Sequence, residues 1–350
     1  MTTLNQRMDA FSGLGTLLKT YIERPEKVPV EFAGIMNQAV EKAFYLNPWF
    51  TRESIHLALS GIAKLLEKNQ LMVWVGKYDI TDSPDQPKTV GLVFAGNIPA
   101  VGFHDLMCVL MSGHGALAKL SSGDTVLLPA LIQLLSELLP GIGDKVKFTQ
   151  GRISHFDAVI ATGSNNSARY FEYYFGKVPH IIRRNRNGIA IIRGDESEED
   201  FTRLADDVFM YFGMGCRNVT KLYFPEDFDP AIFFRHTEGY AGLRNHNKYF
   251  NNYEYNKALM LINSNAHFDN GFALLTAAQP IPSPVSVIHY EKYDSKEALM
   301  PAIERETDNI QVVVSKEGWW PGSAPFGQAQ FPGIEDYADG VDTMHFLCKL

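Results

Sequence analysis

From Thr89 onward the chain alternates short apolar runs, polar turns and helical stretches, and this rhythm constrains the fold more than any other feature. Residues 90–95 read as a buried strand, broken by Gly96-Asn97-Ile98-Pro99, with a helix over about 101–111. Residues 116–120 form the next strand. Ser121-Ser122-Gly123-Asp124 is a turn, and Asp124 can cap a helix carrying Leu127, Leu128, Leu131, Leu134, Leu135 and Leu138, which Pro140 and Gly141 stop. Residues 157–161 are a strand, Thr162-Gly163-Ser164-Asn165 a turn, 167–175 a helix and 188–192 a further strand. Strand–turn–helix repeated this often argues for a parallel, doubly wound α/β sheet. Ligands of such sheets sit beyond the carboxyl ends of the strands, where these polar turns fall.

Before Thr89 the chain reads as mostly helical up to about Gln70. Thr51 can cap a helix with apolar positions at Ile55, Leu59, Ile62, Leu65 and Leu66. Residues 71–75 are an apolar run too short to assign, and 81–88 a polar, proline-containing loop. Composition shifts again at 193–200, an acidic stretch that suits a domain boundary and a helix start, since acidic groups favour a helix N-terminus. Phe201, Leu204, Ala205, Val208, Phe209 and Phe212 give that helix an apolar stripe. Gly213-Met214-Gly215-Cys216 ends it, and strands are expected at 219–224, 285–289 and 310–315. There are no internal repeats.

Composition narrows the function classes. With 350 residues, 45% apolar and 21% charged, the chain can build two domains with sizeable cores and is not a disordered polymer. The net charge of −8 makes it a poor general binder of nucleic acid, because phosphate contacts need a basic face. No apolar run reaches the length of a membrane span, and the first twenty residues lack the apolar core of a signal peptide. Cys108, Cys216 and Cys348 are odd in number and without a CxxC, which argues against a disulfide framework or a zinc site and for a reducing, cytoplasmic setting. Two classes stay open: a cytoplasmic enzyme with a reactive thiol, and a nucleotide- or acyl-binding module without turnover.

Cys216 stands out among the candidate site residues. It follows Gly213 and Gly215, lies between a helix and a strand, and neighbours Arg217, whose cation can raise the thiolate fraction. Most cysteines only pack, and Cys108, within Leu106-Met107-Cys108-Val109-Leu110, is such a core thiol. The Asn97 amide could donate to a developing oxyanion, or the turn could be only a turn. Lys119, with Ser121 and Ser122 after it, could meet ribose or phosphate oxygens, or be a surface lysine. Thr162, Gly163 and Ser164 open a helix whose amides could receive a phosphate, or form a cap with no ligand. Neither GxGxxG nor GxxxxGK[ST] is present, and the histidines have no metal-binding spacing; His104, His114 and His345 read as structural. Arg183, Arg184 and Arg186 read as a solvated face or as contacts to coenzyme phosphates. The Asn- and Tyr-rich stretch 245–263 reads as a polar helix face or, less readily, as part of a substrate groove.

Taken in order, Gly96-Asn97-Ile98-Pro99, Lys119-Leu120-Ser121-Ser122, Ala161-Thr162-Gly163-Ser164-Asn165, Gly213-Met214-Gly215-Cys216-Arg217-Asn218 and Pro325-Phe326-Gly327 resemble the acyl-CoA reductase family related to the fatty acid reductase of bacterial luminescence (the LuxC family), within the aldehyde dehydrogenase superfamily. The resemblance runs from about Asn47 to the C-terminus. It implies an aldehyde-dehydrogenase-like α/β fold, with two doubly wound domains and the active site between them. The expected organisation is an N-terminal helical segment plus NADP-binding domain over 1–193, a catalytic domain carrying the cysteine over 194–330, and a C-terminal tail over 331–350. By resemblance, Cys216 takes the acyl group as a thioester. Asn97 and the Cys216 backbone N–H form the oxyanion hole, and Lys119, with Ser121 and Ser122 beside it, contacts the adenosine ribose. Thr162, Gly163 and Ser164 lie near nicotinamide and pyrophosphate, and Phe326 and Gly327 border the nicotinamide side.

Three departures refine what the resemblance implies. Hydrolytic aldehyde dehydrogenases carry a glutamate base where Arg183-Arg184-Asn185-Arg186-Asn187 falls here. Without a carboxylate to activate water, an acyl-enzyme lasts long enough to accept a hydride. Ser122 stands where NAD-preferring members often place a glutamate, which permits NADPH while leaving NADH open. The chain is also shorter than most superfamily members, which bears on its oligomerisation arm; a homo-oligomer stays open. The expectation is a cytoplasmic, NADPH-dependent reduction of an acyl-CoA, or of an acyl group on a protein carrier, to an aldehyde, with no nucleic-acid partner and no membrane span. The alternatives are oxidation of an aldehyde to an acid and a non-catalytic cofactor- or acyl-binding subunit.

Overall fold

The computed structural model describes residues 2–82 and 84–350, and the chain divides into two compact units: residues 1–184 with 333–350, and residues 185–332. The loop expected at 81–88 includes position 83, which lies outside the described residues.

The first unit opens with four helices: α1 (Leu4–Glu23), α2 (Val30–Leu46), α3 (Arg52–Leu65) and α4 (Lys68–Val75). Thr3 caps α1 in a capping box with Gln6, and the Thr51 side chain accepts the Ser54 N–H at the start of α3, as the sequence suggested. The unassigned run 71–75 is the second half of α4, with Leu71, Trp74 and Val75 turned inward. There follow β1 (Thr89–Val93), α5 (Phe103–Met111), β2 (Gly115–Lys119), α6 (Leu127–Leu138), β3 (Val146–Thr149), β4 (Ala158–Thr162), α7 (Asn165–Phe175) and β5 (His180–Arg183). The five strands form one parallel sheet in the order β3-β2-β1-β4-β5. β1 and β4 are buried along nearly their whole length, as expected of strands covered on both faces.

The second unit holds β6 (Asn187–Ile191), α8 (Glu198–Phe209), β7 (Val219–Pro225), α9 (Ala231–Arg235), α10 (Asn247–Ile262), β8 (His267–Asp269), β9 (Leu274–Ala277), β10 (Val287–Tyr293), α11 (Lys296–Arg305), β11 (Ile310–Ser315) and β12 (Ala324–Pro325). Its sheet runs β12-β11-β6-β7-β10-β9-β8, parallel except for the β8–β9 pair. The acidic stretch does start a helix: Ser197 and Asp200 form a capping box on α8, and three acidic residues occupy its first turn. The chain then returns to the first unit, where α12 (Thr343–Cys348) packs beside α5.

Three expectations are corrected. The boundary falls after Arg184 and not after Arg193, because β6 pairs with β7 and β11 in the second sheet. Residues 333–350 are not a separate tail. The Trp74 indole N–H donates to the Tyr337 hydroxyl at 2.7 Å, His104 Nε2 meets the Ile334 carbonyl at 2.8 Å, and His114 Nε2 meets that of Leu347 at 3.1 Å. Arg183 is no solvated residue: it is 4% exposed, its guanidinium holds Asp105 in a two-point ion pair, and it donates to Thr343 Oγ1. Of that basic run, Arg184 does lie at the surface, paired with Glu172.

Candidate functional site

The strand register of the first unit lines Lys119, Val93 and Ala161 up side by side at the carboxyl ends of β2, β1 and β4. The polar loops that follow these strands therefore emerge together at one end of the sheet. Asn97 is half-buried in the loop after β1; Lys119 and Ser121 are half-buried at and after the end of β2, and Ser122 is exposed. Thr162 and Gly163 are half-buried after β4, and Ser164 is exposed. Because β2 lies on one side of β1 and β4 on the other, the strand order reverses between β1 and β4, the place where such sheets open a crevice.

Two of these loops are packed tightly enough to need glycine. A Cβ on Gly96 would come within 2.3 Å of Ser121 Oγ, and one on Gly123 within 2.6 Å of the Gly96 carbonyl oxygen. Asp124 fastens the same loops from below. Its Oδ2 accepts the Ala100 N–H at 2.8 Å and its Oδ1 that of Leu127 at 3.2 Å, so one buried carboxylate ties the end of the Asn97 loop to the start of α6. Asp124 was expected as a helix cap; its second grip, on Ala100, is the part that sequence does not show. Burial pushes this carboxyl above the usual aspartate range, with the backbone amides of Ala100, Leu127 and Val126 pulling the other way. After β4, Ser164 caps α7 by accepting the Ser167 N–H.

In the second unit Cys216 is half-buried, on the connection between α8 and β7. The backbone that leads to it is unusual: Tyr211, Phe212 and Gly213 have φ of 52°, 61° and 73° in succession. Left-handed conformation is costly for residues other than glycine and persists only where the surroundings over-determine it. Asn218, fully buried, holds the backbone on both sides of this stretch. Its Oδ1 accepts the Gly215 N–H at 2.7 Å, and its own N–H donates back to the Gly215 carbonyl at 3.1 Å, closing a turn with Cys216 and Arg217 at its two central positions. Its side-chain NH2 donates to the carbonyls of Asp207, Val208 and Met210, groups that the end of α8 leaves without helical partners. Gly188 at the start of β6 donates to the Asn218 carbonyl at 2.8 Å, and the Arg217 Nε donates to the Ala329 carbonyl at 2.6 Å.

Phe326 lies in the same unit, with its ring 3% exposed in the core formed by α8 and the central strands. The loop after it is anchored by Asp207, whose Oδ2 accepts the Gly327 N–H at 2.7 Å and whose Oδ1 accepts that of Ala329 at 2.9 Å. Asp207 is 1% exposed, and burial pushes its carboxyl up to about 7 against the pull of those two amides. The structure therefore gathers Asn97, Lys119, Ser121, Ser122, Thr162, Gly163 and Ser164 on one sheet end of the first unit, and Cys216 and Phe326 in the second. Sequence reasoning missed Asp207. The available signal was its place three residues after Leu204, an acid on the apolar stripe of α8. No group of three or more His, Cys, Asp or Glu among the described residues could hold a metal ion.

No known family profile matches the chain, and no curated protein is similar to it in sequence. Solved structures do match. Aldehyde dehydrogenase 21 from Physcomitrella patens, in complex with the reaction product succinate, aligns over 100% of this chain and 84% of its own at 13% identity, with a TM-score of 0.66. An aldehyde dehydrogenase from Mycobacterium tuberculosis complexed with NAD+ covers 93% of this chain and 84% of its own at 12% identity and a TM-score of 0.60. One from Bacillus cereus, also complexed with NAD+, covers 90% and 72% at 14% identity and a TM-score of 0.62. The two α/β units, the sheet order and these alignments together give the chain the aldehyde dehydrogenase fold.

Proposed function

We propose that the protein is an NAD(P)-linked oxidoreductase that reduces an acyl thioester to an aldehyde through an acyl group carried on Cys216. The observation that carries this reading is the Cys216 turn: a half-buried thiol on a backbone held by Asn218, Gly188 and Arg217, in a fold whose neighbours are aldehyde dehydrogenases. The donor set at the sheet end of the first unit supports a dinucleotide: the Lys119 ammonium, the Ser121, Ser122 and Thr162 hydroxyls, and the first amides of α7, all beyond the carboxyl ends of parallel strands. Ser122, exposed and uncharged, would not repel a 2′-phosphate, which permits NADPH as well as NADH.

In the proposed reaction the Cys216 thiolate attacks the thioester carbonyl. A carbon–sulfur bond forms to Cys216, and the bond to the donor sulfur, that of CoA or of a protein carrier, breaks. The Asn97 amide and the Cys216 N–H donate to the oxyanion as it develops. NADPH, when bound, supplies the hydride that reduces the acyl-cysteine. The tetrahedral oxyanion left on Cys216 then collapses: its carbon–sulfur bond breaks, the aldehyde leaves and the electron pair restores the thiolate. A basic run, Arg183 to Arg186, where hydrolytic relatives place a glutamate base supports reduction over release as acid.

The test is the intact mass of the protein after incubation with a panel of acyl-CoAs, beside Cys216→Ala. An acyl adduct on the unaltered chain alone supports the reading, and the chain lengths that react outline the substrate. An adduct that persists in Cys216→Ala overturns it. So does NAD(P)-dependent formation of acid from an aldehyde with no aldehyde formed from any acyl-CoA or acyl-carrier protein.

A further inference from the structure

Asp207, Ala329, Arg217 and Asn218 form a closed ring of hydrogen bonds inside the second unit. The Asp207 carboxylate accepts the Ala329 N–H. The Ala329 carbonyl accepts the Arg217 Nε. Arg217 is joined to Asn218 by the peptide bond, and the Asn218 side chain donates to the Asp207 carbonyl at 3.1 Å. Asp207, Asn218 and Ala329 are each no more than 1% exposed, so water cannot replace a partner that leaves. The ring joins two segments far apart in sequence, the turn that presents Cys216 and the loop after Phe326. The second carboxylate oxygen of Asp207 adds Gly327, whose φ of +79° fixes the bend of that loop.

We infer that Asp207 is a positioning residue that sets the Cys216 turn and the 326–329 loop as one body, so that neither can shift without the other. The inference builds on the reading of Cys216 as nucleophile, but the coupling itself is a property of the two backbone segments and is measurable without substrate. The ionised carboxylate suits the role because both oxygens accept and neither donates, and both face backbone N–H groups. An asparagine would turn an NH2 against one of those donors.

The experiment compares Asp207→Asn with the unaltered chain, both in a Cys348→Ser background that removes the exposed thiol; Cys108 is fully buried and stays. Two quantities are read: amide hydrogen exchange in peptides covering 213–218 and 326–329, and the rate at which iodoacetamide alkylates Cys216. Exchange in both segments is expected to rise by tenfold or more, with alkylation of Cys216 changing at least threefold. Faster exchange confined to 326–329, with 213–218 and alkylation unchanged, overturns the coupling and leaves Asp207 a local anchor. Arg217→Ala opens the ring from its less buried side and is expected to loosen the same two segments; exchange unaltered in 326–329 would also overturn it. Turnover adds a separate outcome. If the segments are coupled yet the unaltered protein forms no acyl adduct, the ring stands and the proposed reaction falls. Where adducts form, Asp207→Asn is expected to raise the KM for NADPH more than it lowers the rate of acylation, and Asp207→Glu to recover part of the loss.

Discussion

Arg183 and Asp105 grip each other at two points, 2.5 and 2.9 Å, with both side chains under a tenth exposed. They lie 78 residues apart, on the last strand of the first sheet and on α5. A charge taken out of water is tolerable only while its partner stays. Arg183→Met is expected to cost about 3–5 kcal/mol, because Asp105 is left buried and unpaired. The double change Arg183→Met with Asp105→Leu is expected to recover most of it. Urea unfolding of the three proteins checks this, and a double variant weaker than the single one would show that the pair stabilises beyond mutual neutralisation.

Asn97 stands on a loop that Asp124 fastens through Ala100. Asn97→Ala is expected to lower turnover about 100-fold or more, the usual effect of losing one oxyanion donor. Asp124→Ala keeps the Asn97 side chain but frees its loop, and is expected to lower turnover while also lowering the unfolding midpoint by more than Asn97→Ala does. Steady-state kinetics beside thermal melts separates the two.

Asn218→Asp nearly preserves volume but points a carboxylate oxygen at three carbonyls. The loss of those donors is expected to cost about 2–3 kcal/mol, as befits buried acceptors without partners. Equilibrium unfolding would reveal it, and a midpoint equal to that of the unaltered chain would show that the end of α8 finds other donors.

In the first unit His114 is buried and His104 half-buried, and desolvation lowers both imidazoles below the ordinary histidine value. The unfolded chain therefore binds protons that the folded chain does not, at pH values between the lowered pKa and about 6.5. Stability is expected to be complete above that window and to fall as pH drops through it, by up to about 1.4 kcal/mol per pH unit for each histidine. Urea midpoints between pH 7.5 and 5 test this, with His104→Gln giving a shallower slope.

The interior of the fold was legible because buried parallel strands read as short apolar runs between turns, as in Thr89–Val93 and Ala158–Thr162. The edges were not. Val146–Thr149 and His180–Arg183 mix polar and apolar residues over four positions, too few for a period to show. Leu71–Val75 looked unassignable because its helix begins at Lys68, outside the apolar run. Arg183 was misread because its partner is remote in sequence. At the site, glycines and turns drew attention to Cys216 and Asn97. Asp207 escaped because an aspartate beside another, Asp206, resembles a solvated face; its place on the apolar stripe of α8 separates it from Asp206, and the tertiary contact with Gly327 and Ala329 gives it its role.

The return of residues 333–350 to the first unit has a consequence for synthesis on the ribosome. Trp74, His104 and Arg183 are made early, but their partners Tyr337, Ile334 and Thr343 emerge only after all of the second unit. At roughly 5–20 residues per second that wait is on the order of ten seconds. The second unit, contiguous in sequence, can close first, while the first holds an open seam where the Trp74 indole and the His104 imidazole lack these partners and Arg183 has only Asp105. A chain cut short before Gly333 would thus carry all of the second unit and an unfinished first one, the form that a chaperone would have to shelter.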